Sequence, residues 1–166
     1  MDPRVKASAE DLRAQFELET KIVNAMQRDF EALAQLRSLR TKLRDIQAKD
    51  GADLQSKIAN LDKEAAELEG TSGGYGATFL STPAGRGLAR LNAGLNSLLS
   101  AVDSADAAPT SQEVATFDEV HRTLEEQLDR WAKIQQQSVP ALNQDLKHAG
   151  VPEIDLKPAR STEQPN

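Results

Sequence analysis

The chain has 166 residues, enough for one domain, of which 39% are hydrophobic, 28% are charged and 4% are aromatic. Its net charge of −6 argues against a nucleic-acid partner, whose phosphate backbone is bound by a basic protein face. The sequence has no cysteine, which excludes disulfides and thiolate metal sites, and no apolar run approaches the roughly 20 residues of a membrane span.

The first predicted helix, 8–49, opens with a capping box in which Ser8 is followed three residues later by Asp11. No Gly or Pro lies between Pro3 and Gly51, so this helix can reach roughly 60 Å. Its apolar residues recur in steps of three and four, which predicts one buried stripe that is interrupted only by Glu19. The stripe consists of Leu12, Phe16, Val23, Met26, Phe30, Leu33, Leu36, Leu39, Leu43 and Ile46.

The densest basic run of the chain lies late in this helix. Cationic side chains near a helix C-terminus complement its dipole, and a charge run on a helix is most often a solvated face. A solvated face is therefore the favoured interpretation, with a binding patch as the alternative. The run consists of Arg37, Arg40, Lys42 and Arg44.

Two shorter helices are predicted next, over 53–69 and 84–105. Each carries an apolar seam with the same three-four rhythm, and each is about half as long as the first helix. The seam of the second helix is Leu54, Ile58, Leu61, Ala65 and Leu68, and that of the third is Leu88, Leu91, Leu95, Leu98, Val102 and Ala105.

A glycine-rich stretch, GTSGGYGATFLSTPAGRG, separates these two helices and is predicted as a loop over 70–83. It matches neither the G-x-x-x-x-G-K-[ST] phosphate loop nor the G-x-G-x-x-G dinucleotide fingerprint, and no strand precedes it. Tyr75, Phe79 and Leu80 are apolar residues within it. They are a candidate contact patch for a neighbouring domain or partner, and the alternative is that they pack onto the bundle.

The fourth predicted helix, 110–149, begins with a second capping box, Thr110 to Glu113, and contains Pro140, which should kink or split it. Trp131 is interpreted as a core anchor. After the helix, 151–156 should pack on the end of the bundle, and the polar tail should be disordered. The apolar positions of this helix are Val114, Phe117, His121, Leu124, Leu128, Trp131, Ile134, Val139, Leu142 and Leu146.

The helix lengths predict the fold class. The first and fourth helices match at roughly 60 Å, and the two shorter ones together reach about the same length. We therefore expect an all-α, elongated up-down-up three-helix bundle whose middle helix is interrupted by the Gly-rich loop. The alternative is a four-helix bundle in which the short helices form a hairpin. The predicted domain organisation is a leading segment 1–7, the bundle 8–156 and the tail 157–166.

No catalytic, cofactor-binding or metal-binding residue is predicted. His121 and His148 lie roughly 40 Å apart on a straight helix, and no E-x-x-H pair of a metal-carboxylate bundle occurs. No serine has a base implied beside it. The expected partners are other domains of the same protein or a second copy of the chain.

Three stretches carry a resemblance to a known family: MDPRVKASAEDLRAQFELETKI, RLNAGLNSLLSAVDSADAAPT and LDRWAKIQQQSVPALNQDLKHAGVPEI. Together they resemble the C-terminal helical region of bacterial BNR/Asp-box repeat proteins, which are sortilin-like and often labelled glycosyl hydrolases. The resemblance implies a preceding signal peptide, β-propeller and immunoglobulin-like domain, and a secreted or periplasmic location. It also implies that Met1 is an internal residue. No Asp-box, S-x-D-x-G-x-x-W, occurs in the chain.

The function expected from these observations is a non-catalytic helical accessory or interaction module, part of a larger secreted BNR-repeat protein. A first alternative is a region that caps the substrate cleft of an extracytoplasmic glycoside hydrolase-like protein. A second is a stand-alone coiled-coil adaptor.

Overall fold

The computed structural model describes residues 7–46, 52–70 and 86–156. Over these ranges the chain is helical with turns and contains no strand. The fourth helical segment continues through one π-helical turn, Ile134–Ser138. The helices are α1 (Ala9–Asp45), α2 (Ala52–Glu69), α3 (Leu88–Val102), α4 (Ser111–Lys133) and α5 (Val139–His148).

The helices form three columns. The middle column consists of α2 followed by α3, and both run antiparallel to α1. At one end Arg40 of α1 pairs with Asp62 of α2 at 3.0 Å. At the other end the Gln15 side chain donates to the carbonyl of Val102, the last residue of α3, at 2.9 Å. The predicted up-down-up bundle is thus confirmed, and α2 and α3 do not form the side-by-side hairpin of the four-helix alternative.

The third column, α4 through α5, runs parallel to α1. Arg28 of α1 binds Glu125 of α4 with two hydrogen bonds, one of them 2.9 Å long. Farther along, Gln35 of α1 accepts hydrogen bonds from the Trp131 indole at 3.3 Å and from Gln135 at 2.9 Å. Trp131 is buried, so its predicted role as a core anchor is confirmed.

The two halves of the middle column meet at a pair of glycines. Gly70 ends α2 with a positive φ of 67°, which glycine adopts without the penalty other residues incur. A Cβ placed on Gly87, just before α3, would lie 2.5 Å from the Cα of Gly70 and 2.8 Å from the carbonyl oxygen of Glu69. The end of α2 and the start of α3 therefore meet at one point of the column. Most of the predicted loop 70–83 lies outside the described residues.

Both predicted capping boxes are present. The Asp11 amide donates to the Ser8 hydroxyl at 3.1 Å, and the Ser8 amide donates back to the Asp11 carboxylate at 2.9 Å. The Ser8 amide and hydroxyl both donate to the Asp11 carboxylate, and these two hydrogen bonds lower its pKa. Thr110 and Glu113 repeat the arrangement at the start of α4. The boxes fix the start of α1 and of α4 by satisfying amides that have no partner within the helix.

The predicted break at Pro140 takes the form of the π-helical turn. Proline lacks an amide hydrogen, and its ring clashes with the carbonyl one helical turn earlier. The turn relieves this by widening the backbone, so that the Val139 amide donates to the carbonyl of Ile134, five residues back. Pro140 then occupies the first turn of α5, where its missing donor costs nothing.

The predicted stripe of α1 is wrong in its first half. Phe16, Val23 and Phe30 lie in solvent, and a second seam is buried instead. Steps of three and four fit both seams, and only the packing of the other columns selects one of them. The buried seam of this half is Gln15, Leu18, Ile22, Ala25, Asp29, Ala32, Leu33 and Leu36.

The seams of the other helices agree with the prediction at most positions. All five predicted residues of α2 are buried, and so are all those of α3 except Ala105, which lies exposed beyond the end of the helix. In α4, Val114 is exposed, so this position of the predicted stripe is wrong, while His121 and Leu128 are half-buried and Leu128 packs against the core.

The chain after α5 packs onto the end of the bundle, as predicted. Ile154 is buried, and its backbone amide and carbonyl both bond to the Asn143 side chain, at 2.8 Å and 3.0 Å. Val151 and Leu156 pack against the same core.

One carboxyl group lies inside the bundle. Asp29 of α1 is 0% exposed, and neither of its oxygens completes a hydrogen bond of ordinary geometry with a described residue. Burial raises the pKa of Asp29 to about 7, and nearby Asn92 of α3 and Arg37 offset only part of this rise. The core thus holds a group that is half protonated near neutral pH.

We expect Gly87→Ala to lower the free energy of unfolding by about 1–3 kcal/mol, because the new methyl group would collide with the backbone at Gly70. Gly94→Ala, within α3, is the matched control and should be neutral or stabilising, since alanine favours a helix by about 1 kcal/mol over glycine. Urea unfolding followed by circular dichroism measures both. Equal stability of Gly87→Ala and the wild type would contradict the close approach.

We expect the free energy of unfolding to fall by about 2 kcal/mol between about pH 5.5 and about pH 8. The folded chain keeps a proton on Asp29 that the unfolded chain releases near its ordinary pKa of 3.8, so this stability is lost as the pH rises toward 7. Asp29→Asn should remove this pH dependence, whereas Asp129→Asn, on an exposed face of α4, should keep it. Urea titrations at the two pH values test this, and a wild type that is equally stable at both would contradict it.

Candidate functional site

The most prominent surface feature is a line of apolar side chains on the first half of α1, which we call the α1 row. It consists of Phe16, Val23 and Phe30, which are 68%, 49% and 67% exposed. The residues are spaced by seven, so they repeat at nearly the same angle around the helix and extend over roughly 21 Å. Single exposed apolar residues are common on proteins, whereas an aligned series with two phenylalanines is a candidate contact surface.

The row exists because α1 has apolar residues on two of its faces. At 100° per residue, the row is centred roughly 130° around the helix from the buried seam that contains Ile22. The columns α3 and α4 cover that seam and leave the row open. Leu12 and Met26 lie on the edge of the row and are half-buried, and Met26 packs against the core.

Charged side chains flank the row. Arg13 and Glu31 are exposed and, 18 residues or five full turns apart, share one angular position on the same side of it. Glu31 accepts a hydrogen bond from Gln27 at 3.1 Å. Glu19 lies on the opposite side of the row, between Phe16 and Val23 along the helix. The row thus has an apolar centre and a rim with both signs of charge.

The basic run at the other end of α1 serves the fold. Arg37 and Arg40 both bind the carboxylate of Glu69 at the end of α2, Arg37 at 2.8 Å. Burial of Glu69 opposes its ionisation, but the hydrogen bonds from the two arginines outweigh it and lower the pKa of the carboxyl group. Arg44 lies 3.8 Å from Asp62, farther back in α2.

Lys42, the remaining member of the run, donates to the backbone carbonyl of Asp155 after α5. All four basic residues therefore contact other parts of the same chain. The interpretation as a solvated face holds only in part, since Arg37 and Arg44 are exposed yet paired. The sequence did not predict these contacts, because the partners lie between 18 residues (Arg44 to Asp62) and 113 residues (Lys42 to Asp155) away along the chain.

The two histidines occupy different surroundings. The His121 ring lies 5.3 Å from that of Phe117, and its Nδ1 is 3.4 Å from Glu125, which also binds Arg28. Arg28 lowers the pKa of Glu125. His148 is in the last turn of α5. Across the described ranges, no group of three or more His, Cys, Asp or Glu side chains could hold a metal ion.

An open groove of about 470 Å³ runs between α3 and α4, lined by small side chains such as Ala93, Ser97 and Thr116, with Arg90 among its walls. Asp29, although its pKa is perturbed, is fully buried and cannot reach a molecule in solvent. Among the described residues, we therefore take the row, with its aligned exposed phenylalanines, as the candidate binding surface.

Tyr75, Phe79 and Leu80 fall outside the described residues, so the contact patch proposed for them stays a prediction. The α1 row contains residues that the sequence had assigned to the core. A second apolar series in the same half of α1 could have revealed the row, because a helix with two apolar faces can bury only one of them in a three-column bundle. This series consists of Leu18, Ile22 and Ala25.

None of the described helices combines the length and the apolarity that a bilayer crossing requires. No protein-family model matches the chain, and neither a curated protein nor a solved structure does.

Proposed function

We propose that this chain is a non-catalytic helical interaction module that binds its partner through the α1 row. The observation that carries the proposal is the exposure of Phe16 and Phe30 in line on one helix. Aromatic side chains at the centre of a surface, within a polar rim, are the usual anchors of protein interfaces.

The remainder of the bundle supports this role by holding α1 against the other columns. The arginines of its second half bind α2, and Arg28 and Gln35 bind α4 and the π-helical turn. A contact helix that is already ordered loses little conformational entropy when a partner binds.

On the resemblance described above, we further propose that the module is the C-terminal part of a larger secreted BNR-repeat protein, where the row would contact a neighbouring domain or a second copy. Capping of a substrate cleft is the alternative for such a protein. Turnover of the full-length protein with and without these residues separates the two, because only a cap changes it. A stand-alone adaptor would require a reading frame that starts at Met1.

Site-specific photo-crosslinking tests the interaction role. We expect benzoylphenylalanine in place of Phe16 or Phe30, in the protein as its own cells produce it, to give one discrete adduct after irradiation. The same group in place of Glu126, on an exposed face of α4, should give none. If neither position of the row forms an adduct, the interaction role is wrong. The mass of an adduct separates a second copy from a different partner.

The row should also be dispensable for folding. We expect Phe16→Ser with Phe30→Ser to change the free energy of unfolding by less than about 1 kcal/mol, because both side chains are in solvent. Leu36→Ala, in the buried seam of the same helix, should cost about 2–5 kcal/mol. Thermal unfolding at low protein concentration measures both, and a large loss in the double variant would show that the row belongs to the core.

A further inference from the structure

We propose that the partner of the α1 row is a second copy of this chain, with the two α1 helices packed antiparallel about a twofold axis that passes beside Val23. This inference rests on the proposed function. It follows from the spacing of the row, from the charges at its rim and from the area that it offers.

The spacing makes the row complementary to itself. In an antiparallel pair centred on Val23, Phe16 of one copy faces Phe30 of the other, and Val23 faces its own equivalent. Both phenylalanines lie seven residues from the centre, so each row presents the same surface in both directions. A seven-residue repeat is also the spacing at which two helices stay in contact along their length.

The rim charges select the antiparallel direction. In this arrangement, the same side of each helix faces the other copy, so Arg13 lies opposite residues near position 33 of the second copy. Glu31 of that copy is then displaced by only two residues, or about 3 Å along the axis, within reach of an ion pair. The symmetry forms this pair twice.

A parallel pairing lacks these contacts. It would place Glu19 of one copy level with Glu19 of the other inside the seam, where like charges repel. It would also set Arg13 opposite the edge of the partner that carries Gln15 rather than opposite Glu31. In the antiparallel pair, the two Glu19 side chains are about 12 Å apart along the axis.

The area is sufficient for a weak, reversible dimer. The three row side chains and their rims would bury about 1,200 Å² in total, at the low end of specific interfaces. The expected dimer therefore dissociates on dilution. The dimer interface would also cover the half of α1 whose inner face buries Gln15 and Asp29.

Sedimentation equilibrium of the full chain between about 1 µM and about 1 mM tests the proposal. We expect a monomer–dimer equilibrium that Phe16→Ser with Phe30→Ser weakens at least about tenfold. Arg122→Glu, on an exposed face of α4, is the control and should change nothing.

Charge reversal at the rim tests the direction of pairing. Arg13→Glu alone and Glu31→Arg alone should each weaken the dimer about tenfold, because each creates like-charge pairs. Mixing these two single variants should restore association, since positions 13 and 31 that face each other across the mixed dimer would again carry opposite charges.

A strict monomer over this range would overturn the self-association. It would leave the interaction role standing if the crosslinker at Phe16 still forms an adduct with a different protein. Dimerisation that the mixed variants fail to restore would overturn the antiparallel pairing. If the wild type is monomeric but Tyr75→Ser with Phe79→Ser and Leu80→Ser makes it dimeric, the occupant of the row is the chain's own segment 71–85, and the proposal is wrong.

Discussion

The contact between Gly70 and Gly87 is the constraint on which this structure depends. It brings the end of α2 to within backbone distance of the start of α3, so that two short helices serve as one column. Only a column of that length covers the leucine seams of α1 and of α4 through α5 from end to end. A side chain at Gly87 would push the halves apart and open the core at its middle.

A bundle of three columns can bury only one face of each helix, and this explains the α1 row. The second half of α1 has one apolar seam, and its other faces carry the arginines that bind α2. The first half has two apolar seams, of which α3 and α4 cover one. The same helix therefore serves as a core element over its whole length and as a surface over half of it.

The half of α1 with the exposed row is also the half with the most polar core. The Gln15 side chain donates to the backbone carbonyl of Val102, but neither Asp29 oxygen completes a hydrogen bond of ordinary geometry with a described residue, and burial raises the pKa of Asp29. Burying an ionisable group without a partner reduces stability. Contact through Phe16 and Phe30 would add apolar burial along the same stretch of helix, which offsets that loss where it occurs.

The sequence by itself determined the helices, their order and several of their ends, although α3 (Leu88–Val102) is shorter at both ends than the predicted 84–105 and α1 ends at Asp45 rather than at 49. The capping residues Ser8 and Thr110, the glycine stop at Gly70 and the break at Pro140 all act through the local backbone, and their effects were predicted correctly. Relative helix lengths were also enough to predict three columns. The tertiary structure alone decided which seam of α1 is buried and which acidic residues the arginines bind. These depend on the angle at which distant helices meet α1, and a periodicity of three and four residues fits both of its apolar faces equally well.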